Sequence, residues 1–476
     1  MPDLEPDLPP RRSDALANVA RIVETAAAAL GHDPDVSIGE IAQRAGVGRS
    51  TLYRHFETRE ALVEAVRRRA RDIAETDEPQ FMRPPGELAN RTISPLSVPD
   101  VLNKVPPFQL GQQIVSEAQR LTGVQSAAIY LVDLQGRLLR KLAGASSFPQ
   151  ELDIQVGVGT EIPREAFDEV RDRVVRQLPG AVVTPLILRG RATGLLVVIG
   201  EGDDSLRDLA REAAVALALA DDYTDALQTV RRARDTSPAA EIQQHLLPPR
   251  IVRVGGATLA GNVLPGYDVG GDWFDFADNA DCVWLGIADV DGSGPKAAGL
   301  CAILLGAFRS ARHQGEDPAG AIALMHEVLS SVSGSGSLAS ATVGCWNAAT
   351  SVFRWVSCGQ PGPLMIHRDG QVEDLGGIDH PLGSPDLKGP FTVQSLTLAP
   401  GQRLVLVSDG VLDCRGGATG SVLGLDGIRT AAQRTPGGTA AATVHAIETI
   451  IGDHLSDGPE DDATIAVLAP HLPHAV

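Results

Sequence analysis

The chain has 476 residues, of which 43% are hydrophobic and 21% charged; this composition is that of a globular protein and excludes a disordered one. At about 100–200 residues for each domain, the length predicts roughly three domains. The formal net charge of −19 excludes nucleic-acid binding along the whole chain, so any such contact must be local. The first residues lack an apolar signal core, and no run of about 18 apolar residues occurs, so we expect a soluble, cytoplasmic protein without a membrane partner.

The cysteines are widely spaced and include no CxxC pair. This pattern predicts free thiols in a reducing compartment, buried as small apolar side chains. They are Cys282, Cys301, Cys345, Cys358 and Cys414.

In chain order, the sequence pattern predicts a multidomain protein. Residues 12–75 are helical in pattern throughout, and residues 76–107 are rich in proline and polar groups, which is typical of a linker. Residues 108–225 alternate helical and strand patterns, and residues 226–246 have the pattern of a polar connecting helix. Residues 247–470 are dominated by strands and glycine-rich turns. We therefore expect an all-α head, an α+β middle domain and an α+β C-terminal domain.

The head contains the pattern of a helix-turn-helix. Ser37 and Glu40 form a capping box, and Gly46 permits a tight turn before a second helix anchored by Leu52 and Phe56. The exposed face of that second helix carries arginine, hydroxyl and aromatic side chains, which suit phosphate and base-edge contacts in a major groove. The candidate DNA-binding residues are Arg49, Ser50, Thr51, Tyr53 and Arg54. The alternative is a small helical bundle kept for dimerisation or protein contact.

The string GVGRSTLYRHFETREAL carries a resemblance of residues 12–72 to the N-terminal domain of TetR-family regulators. The resemblance implies DNA binding, and because helix-turn-helix proteins read two half-sites, it implies a homodimer. A TetR-family regulator would continue into an all-helical ligand-binding and dimerisation domain, which this sequence does not show. We expect any dimer contact to lie in the later segments.

The middle segment begins with an amphipathic helix and a strand, SAAIYLVD, and ends with a strand pair and a helix. This order resembles a GAF domain over residues 108–225. The resemblance implies a small-molecule ligand, but no cysteine or histidine lies in the segment to indicate haem or bilin attachment. The alternative is a packing or dimerisation module without a ligand. The helix that follows is a candidate to transmit a signal to the C-terminal domain.

Four aspartates of the C-terminal segment lie at strand ends or in turns, and they are the candidate catalytic and metal-binding residues. Hard divalent cations prefer several carboxylate oxygens, and side chains at strand ends can converge from distant parts of the sequence. Two ions about 3.5–4 Å apart can activate water and hold a phosphate for in-line attack. The alternative is a set of exposed turn acids. The four are Asp272, Asp289, Asp409 and Asp461.

The ordered motifs LLPP, VGGDWFDF, ADVDGSGPKAA, CGQPGPLMI, SDGVLDC and DDATIAV resemble the SpoIIE-type branch of the PPM metal-dependent protein serine/threonine phosphatases. The resemblance implies a β-sandwich flanked by helices and two Mn²⁺ or Mg²⁺ ions. It implies that Asp289 bridges the two ions and that the Val290 carbonyl is a backbone ligand beside it. Asp409 and Asp461 match ligands of one ion, and Asp272 an acid on the side of the other. A bridging hydroxide would then attack the phosphorus of phosphoserine or phosphothreonine.

Departures from the family pattern occur near these acids. Ser293 and Gln360 stand where the family often has histidine, which bears on substrate choice and proton handling rather than on metal binding. Asp291 and Asp462 are further acids that we interpret as solvated turn residues.

The resemblances lead to two hypotheses about function. The first is a phosphatase acting on a phosphorylated signalling protein, such as a STAS-type anti-anti-sigma factor, regulated by the middle domain and the head. The second is a TetR-like transcription regulator that uses the phosphatase fold as a sensor or scaffold. A third hypothesis is that the protein both binds DNA and catalyses dephosphorylation.

Overall fold

The structure is a computed structural model. Its chain divides into two compact units, Met1–Thr92 and Ile93–Val476, which are described separately below. The structure describes residues 25–26, 36–56, 58–59, 61–63, 65, 102, 104–200, 202, 204–232, 236–264, 270–332, 336–359, 361–377, 380–416, 421–455 and 461–471.

The head contains a helix-turn-helix. Helix α1 (Ile38–Arg44) begins at the reciprocal capping box that Ser37 and Glu40 were predicted to form, and α2 (Arg49–His55) follows after a turn in which Gly46 has a φ of +65°. Because that backbone conformation is strained for a residue with a Cβ, glycine is required at the turn. The two helices pack around one apolar cluster, as predicted; it contains Ala26, Val36, Ile41, Ala42, Ala45, Leu52, Phe56 and Leu62.

Of the predicted DNA-contacting side chains, Tyr53 is 47% exposed and Thr51 is partly buried. The side chains of Arg49, Ser50 and Arg54 lie outside the described residues, as does most of the predicted linker over residues 76–107.

The middle domain is a sheet covered by helices on both faces. Its strands are β1 (Ser126–Val132), β2 (Leu138–Gly144), β3 (Glu151–Asp153), β4 (Ile162–Pro163), β5 (Ala181–Leu188) and β6 (Arg191–Ile199). They pair antiparallel in the order β3-β2-β1-β6-β4, and β5 also pairs with β6. The helices are α3 (Leu110–Thr122), α4 (Phe167–Gln177) and α5 (Asp204–Ala220).

Alternation along β1 shows how the layers form. Ala127, Ile129 and Leu131 pack with α3 and α5, whereas Ala128 and Tyr130 pack with α4 on the opposite face. Successive side chains of a strand point to opposite faces, so a fully apolar strand is the one expected between two helical layers. The predicted α+β middle domain is confirmed, and its resemblance to a GAF domain stays a prediction.

The segment after the middle domain contains α6 (Asp225–Arg231) and α7 (Pro238–Leu246), not the single helix predicted for residues 226–246. Arg232 has an extended backbone, and Ser237 is extended before Pro238 because proline disfavours the helical conformation of the residue that precedes it. Leu227 of α6 packs in the middle-domain core, whereas Ala239 of α7 packs against the C-terminal domain. The joint, by which we mean the boundary between the middle domain and the C-terminal domain, therefore lies between α6 and α7.

The C-terminal domain contains two antiparallel sheets. The first has the order β15-β12-β11-β10-β9, and the second has the order β14-β13-β16-β19-β8-β7. The strands are β7 (Ile251–Val254), β8 (Ala257–Leu264), β9 (Trp273–Asp278), β10 (Val283–Val290), β11 (Ala339–Asn347), β12 (Val352–Cys358), β13 (Leu364–Ile366), β14 (Val372–Asp374), β15 (Gln394–Thr397), β16 (Arg403–Val407) and β19 (Ala463–Pro470), with a small separate pair, β17 (Arg415–Gly416) and β18 (Ser421–Val422). The helices are α8 (Gly294–Gln314), α9 (Pro318–Val332), α10 (Asp409–Leu412), α11 (Gly424–Arg434) and α12 (Ala440–His454).

The two sheets pack face to face and are covered by helices on their outer faces. Leu285 and Ile287 of β10 pack with Leu406 of β16 and Ala466 of β19 between the sheets. Helices α8 and α9 cover the first sheet, and α11 and α12 cover the second. This arrangement confirms the predicted β-sandwich flanked by helices, and Pro295 lies in the first turn of α8 as expected.

The prediction that all five cysteines are free thiols is wrong for two of them. A disulfide joins Cys282 and Cys345, with their Cα atoms 5.8 Å apart. They are 63 residues apart in sequence and meet because β10 pairs with β11, with Trp284 opposite Cys345. The spacing of cysteines in the sequence does not reveal strand register, so the pair was not predicted. Because two of the cysteines form a disulfide, cysteine use no longer supports the prediction of a reducing compartment. Cys301, Cys358 and Cys414 are buried and form no disulfide among the described residues, as predicted.

In the part of the chain that the structure describes, no helix combines the length and the apolar character needed to cross a membrane.

Candidate active site and metal centre

The four predicted aspartates lie at the same end of the sandwich. Asp272 directly precedes β9, and Asp289 is the next-to-last residue of β10, its antiparallel neighbour. Asp409 follows β16, and Asp461 lies two residues before β19, the antiparallel neighbour of β16. The start of one strand and the end of its antiparallel partner lie at the same edge of a sheet, so each sheet contributes two of the acids.

Strand alternation turns two acidic side chains and one hydroxyl inward. Phe274, two residues after Asp272, and Ile287, two residues before Asp289, both pack between the sheets. With a period of two residues, Asp272 and Asp289 share that inward face. Thr464 has the same relation to Ala466 of β19. The site therefore lies at one end of the space between the two sheets, which we call the mouth of the sandwich.

Burial and mutual repulsion perturb the acids. Burial raises the pKa of Asp289 to about 8, and the neighbouring Asp409 and Asp461 also raise it, while a hydrogen bond with Asp272 opposes them. Burial raises the pKa of Asp272 well above its ordinary value, and repulsion by Asp289 and Asp462 adds to the effect. These interactions require that the acids be close to one another. Strongly raised carboxyl pKa values of this kind cluster at functional sites.

Asp272 is held from several sides. Its Oδ2 accepts a hydrogen bond from the Thr464 hydroxyl, and its backbone carbonyl accepts one from Gln243 Nε2 at 3.2 Å and one from the Cys301 thiol at 3.6 Å. Its Oδ1 is buried and accepts no hydrogen bond from an N–H or hydroxyl group among the described residues. One carboxylate oxygen is therefore left for a further ligand.

Asp462 corrects the prediction of a solvated turn residue. It is 1% exposed, and its Oδ2 accepts hydrogen bonds from Gln243 Nε2 at 2.6 Å and from the Gly270 backbone N–H at 3.0 Å. Asp291, by contrast, is largely exposed to solvent, as predicted. Its pKa is raised because protein atoms cover part of the carboxyl and, to a smaller extent, because the charges of Asp409 and Asp461 repel it.

The loop before β9 passes very close to Val290, whose carbonyl was predicted as a backbone ligand. A Cβ on Gly271 would lie 2.7 Å from the Val290 carbonyl oxygen, so only glycine fits there. Val290 in turn donates its N–H to the Gly271 carbonyl at 3.4 Å. Ser293 is exposed at the N-terminus of α8 and its backbone pairs with Gly270, so it lies beside the acids; Gln360 lies outside the described residues.

The residues fit hard divalent cations by their chemistry. The donors are carboxylate and carbonyl oxygens, which Mg²⁺ and Mn²⁺ prefer, and Asp272 Oδ1 is an orphaned buried acceptor. Among the described residues, no group of three or more histidine, cysteine, aspartate or glutamate side chains is already closed around one ion position. Asp409 and Asp461 are exposed, and their charges help to raise the pKa of Asp289, so both lie close to it at the solvent side of the site.

Sequence reasoning missed the buried groups that hold the acids. Gln243 on α7 is 2% exposed, Ser408 is 1% exposed, and Thr464 is fully buried. Ser408 and Thr464 adjoin predicted acids in the motifs SDG and DDAT, and that adjacency was the available signal. Gln243 had no such signal, because it meets Asp462 from 219 residues away in sequence.

Comparison with known proteins assigns two segments to families. Residues 279–471 match the family model "Stage II sporulation protein E (SpoIIE)", and residues 22–66 match "Bacterial regulatory proteins, tetR family". The first match contains Asp289, Asp409 and Asp461 and begins after Asp272.

Individual relatives are distant. The phosphoserine phosphatase RsbU of Bacillus subtilis (strain 168) is 26% identical over 179 residues, covering 37% of this chain and 53% of the relative. The chain thus spans about half the length of that curated relative. The RsbU and RsbW domains of a Mycobacterium tuberculosis protein share 27% identity, covering 46% of this chain and 61% of theirs, with a TM-score of 0.40. The SiaA-PP2C domain of Pseudomonas aeruginosa shares 22% identity, covering 48% of this chain and 94% of its own, with a TM-score of 0.42.

The C-terminal segment therefore matches the SpoIIE family model and is homologous over part of its length to a phosphoserine phosphatase. The head matches the TetR family model, so the chain joins a TetR-like segment to a SpoIIE-like segment. Both resemblances inferred from the motifs are confirmed.

Proposed function

We propose that the chain is a metal-dependent protein serine/threonine phosphatase that hydrolyses phosphoserine or phosphothreonine on a signalling protein. The observation that carries the proposal is the convergence of Asp272, Asp289, Asp409 and Asp461 at one mouth of the sandwich, where burial and repulsion raise the pKa of Asp289 to about 8. Such a cluster of acids is costly for the fold unless cations neutralise it.

In this proposal Asp289 would contribute to both ion sites, Asp409 and Asp461 would help to hold one ion, and Asp272 and the Val290 carbonyl would lie on the side of the other. Two bound Mn²⁺ or Mg²⁺ ions would supply a water of lowered pKa and neutralise the charge of the phosphate. The protons held by Asp272 and Asp289 must leave when the carboxylates become ligands, so metal affinity should rise with pH.

The proposed substrate is a phosphoserine of a STAS-type anti-anti-sigma factor. We infer this substrate class by analogy, from the SpoIIE family match and from the similarity to a phosphoserine phosphatase. The acidic chain, with a net charge of −19, fits a protein partner better than a nucleic acid as the substrate.

Hydrolysis of a phosphoserine peptide with and without Mn²⁺ tests the activity. We expect Mn²⁺-dependent release of phosphate, and a loss of more than about 100-fold for Asp289→Ala, since even groups that support metal ligands cost 10–100-fold. Asp281→Asn is the matched control, because Asp281 is exposed just before the opposite end of β10. If the wild type releases no phosphate and Asp289→Ala behaves like it, the enzyme proposal fails. Phosphorylated STAS proteins in the same assay test the substrate class.

We further propose that the middle domain regulates the site through a buried contact, which we call the clamp and define as Glu161 and Arg191 around the Ile251 peptide groups. Ile251 donates its N–H to Glu161 Oε2 at 2.7 Å, and its carbonyl accepts from Arg191 Nη1 at 3.0 Å. Arg191 and Glu161 also pair at 2.7 Å, with side chains 9% and 5% exposed. The clamp satisfies polar groups of β7, which is an edge strand of the second sheet.

Contacts next to the clamp extend toward the site. Val158 is fully buried in the same cluster as Ile447 of α12, and a Cβ on Gly159 would lie 3.1 Å from Asn262 Oδ1. Asn262 of β8 donates to Glu448 of α12 at 2.6 Å. Two residues after Asn262, β8 ends, and Gly270, later in the same chain, donates its N–H to Asp462. A change in the middle domain could therefore reach the acids through Asn262 and a short stretch of sequence.

A small-molecule ligand for the middle domain has a candidate position in a cavity of about 460 Å³ between α3, β2 and α6. It is lined by Phe108, Gly111, Lys141 and Leu227, among others. A ligand there would touch α6, the last helix before the joint, and could change how the middle domain meets α7.

The second candidate function is DNA docking by the head, favoured by the TetR-family match over residues 22–66 and by the exposed Tyr53 on α2. We propose contacts from Arg49, Ser50, Thr51, Tyr53 and Arg54, a homodimer that presents two heads, and a cytoplasmic location where such DNA lies. Binding should weaken steeply with salt and be lost in Arg49→Ala and Arg54→Ala, but not in Arg176→Ala on the exposed face of α4. Salt-independent binding, or equal effects of all three changes, would leave the head as a protein-contact module.

A further inference from the structure

Two buried hydroxyl side chains, Ser408 and Thr464, join the elements that carry the acids. The Thr464 N–H donates to Ser408 Oγ at 2.9 Å, and the Ser408 N–H donates to the Thr464 carbonyl at 3.0 Å. Ser408 Oγ also donates to the Asp462 carbonyl at 3.4 Å. Ser408 directly precedes Asp409, so this reciprocal pair fixes the end of β16 against the start of β19.

The Thr464 hydroxyl extends the connection to the other sheet. It donates to Asp272 Oδ2, which lies just before β9, and both side chains are buried, at 0% and 1% exposure. Three of the four acid-bearing segments are thereby tied together by two hydroxyls. Asp289 is the acid that faces Asp272 across the pairing of β9 with β10.

The hydroxyl also distinguishes the two oxygens of Asp272. Oδ2 accepts from the Thr464 hydroxyl, whereas Oδ1 is buried and accepts no hydrogen bond from an N–H or hydroxyl group among the described residues. The terminal torsion of an aspartate is broad and nearly twofold, so without a donor either oxygen could turn toward Asp289. A donor on one oxygen selects which one remains free.

We propose that Thr464 is a positioning residue that holds Asp272 Oδ2 so that Oδ1 is presented to a divalent cation. This inference rests on the proposed metal-dependent function. Ser408 supports it by fixing the backbone of Thr464. Thr464 touches no ion itself; it acts through Asp272, as groups behind metal ligands commonly do.

Mn²⁺ titration of the full chain by isothermal calorimetry tests the role without relying on activity. Thr464→Val keeps the shape and removes the hydroxyl, and Thr464→Ser keeps the hydroxyl. We expect Mn²⁺ affinity to fall about tenfold, or about 1.4 kcal/mol, in Thr464→Val and to stay within about threefold in Thr464→Ser. In an Asp272→Asn background, Thr464→Val should have no further effect.

Thr342→Val is the matched control, because Thr342 is 1% exposed and its hydroxyl donates to Ser357 at 2.9 Å rather than to an aspartate. It should lose stability, as any buried hydrogen bond does, and keep its Mn²⁺ affinity. Equal Mn²⁺ affinity of Thr464→Val and wild type overturns the inference, and so does an equal loss in Thr342→Val. If Thr464→Val does not fold, Thr464→Ala replaces it; if neither folds while Thr464→Ser does, the hydroxyl serves the fold and the positioning role is overturned. A wild type that binds no Mn²⁺ and releases no phosphate instead refutes the proposed function.

Discussion

Replacing Asp289 with asparagine should stabilise the metal-free protein while abolishing its metal response. Burial raises the pKa of Asp289 from 3.8 to about 8, so at pH 7 this carboxyl must bind a proton on folding that it lacks when unfolded. Each pKa unit corresponds to about 1.4 kcal/mol, so the cost over the roughly three units below pH 7 approaches about 4 kcal/mol. Asp272 remains buried in the variant, so part of the free-energy cost of burying carboxyl groups remains. We therefore expect the free energy of unfolding to rise by about 2 kcal/mol.

The sign of the pH dependence follows from the same shift. The folded pKa lies above the unfolded one, so between about pH 4 and pH 8 the folded state binds more protons and stability falls as pH rises. The advantage of Asp289→Asn should therefore be largest near pH 8 and shrink by about half at pH 5.5.

Urea unfolding in EDTA at pH 5.5, 7 and 8, followed by tryptophan fluorescence, measures this gain. All four tryptophans lie in the C-terminal domain, so the signal reports that domain; they are Trp273, Trp284, Trp346 and Trp355. Added Mn²⁺ should stabilise the wild type by about 2.7 kcal/mol at 100 times its dissociation constant and leave Asp289→Asn unchanged. An Asp289→Asn variant no more stable than wild type or Asp281→Asn at pH 8 in EDTA would refute the reasoning.

Three further changes test other contacts. Gln243→Ala removes the amide that donates to Asp462 Oδ2 at 2.6 Å, and it should lower Mn²⁺ affinity about tenfold in calorimetry. Glu161→Gln leaves Arg191 buried without its charged partner, and it should lower the unfolding free energy by about 3 kcal/mol in urea. Ser37→Ala removes the capping box of α1 and should cost the head about 1 kcal/mol, measured by thermal melting with circular dichroism.

Each of these changes has a control or an outcome that contradicts it. Gln244→Ala alters the neighbouring glutamine of α7, and an equal loss of Mn²⁺ affinity there would remove the specific role of Gln243. Glu169→Gln breaks an exposed pair with Arg173, worth about 0.5 kcal/mol; a similar effect for Glu161→Gln would mean that the clamp contributes little. An unchanged melting temperature of the head in Ser37→Ala would show that its apolar cluster alone sets the helix start.

Local patterns in the sequence were sufficient where short-range physics decides the structure. The capping box at Ser37 and Glu40 depends on residues three apart, and Gly46 follows from the backbone conformation of a tight turn. The position of Asp409 after an apolar strand predicts a carboxylate at a sheet edge, and β16 is fully buried as that pattern requires.

Contacts between distant segments could not be predicted, because they depend on strand register and on how layers meet. The burial of Asp462 follows from Gln243, which approaches from α7, and no periodicity encodes that approach. The disulfide between Cys282 and Cys345 depends on the pairing of β10 with β11. The break between α6 and α7 did have a local signal, Ser237 before Pro238, which the helical pattern on either side obscured.

The clamp around Ile251 has a consequence for how such a chain can be recombined. Glu161 and Arg191 belong to the middle domain by sequence, yet they complete an edge strand of the C-terminal sandwich. A gene fusion that cuts the chain near residue 247 would transfer β7 without the side chains that hydrogen-bond to Ile251. It would also expose the apolar residues of the C-terminal domain that pack against Val158. The unit that can be exchanged between proteins is therefore the pair of domains together, whereas the head, as a separate compact unit, can be replaced independently.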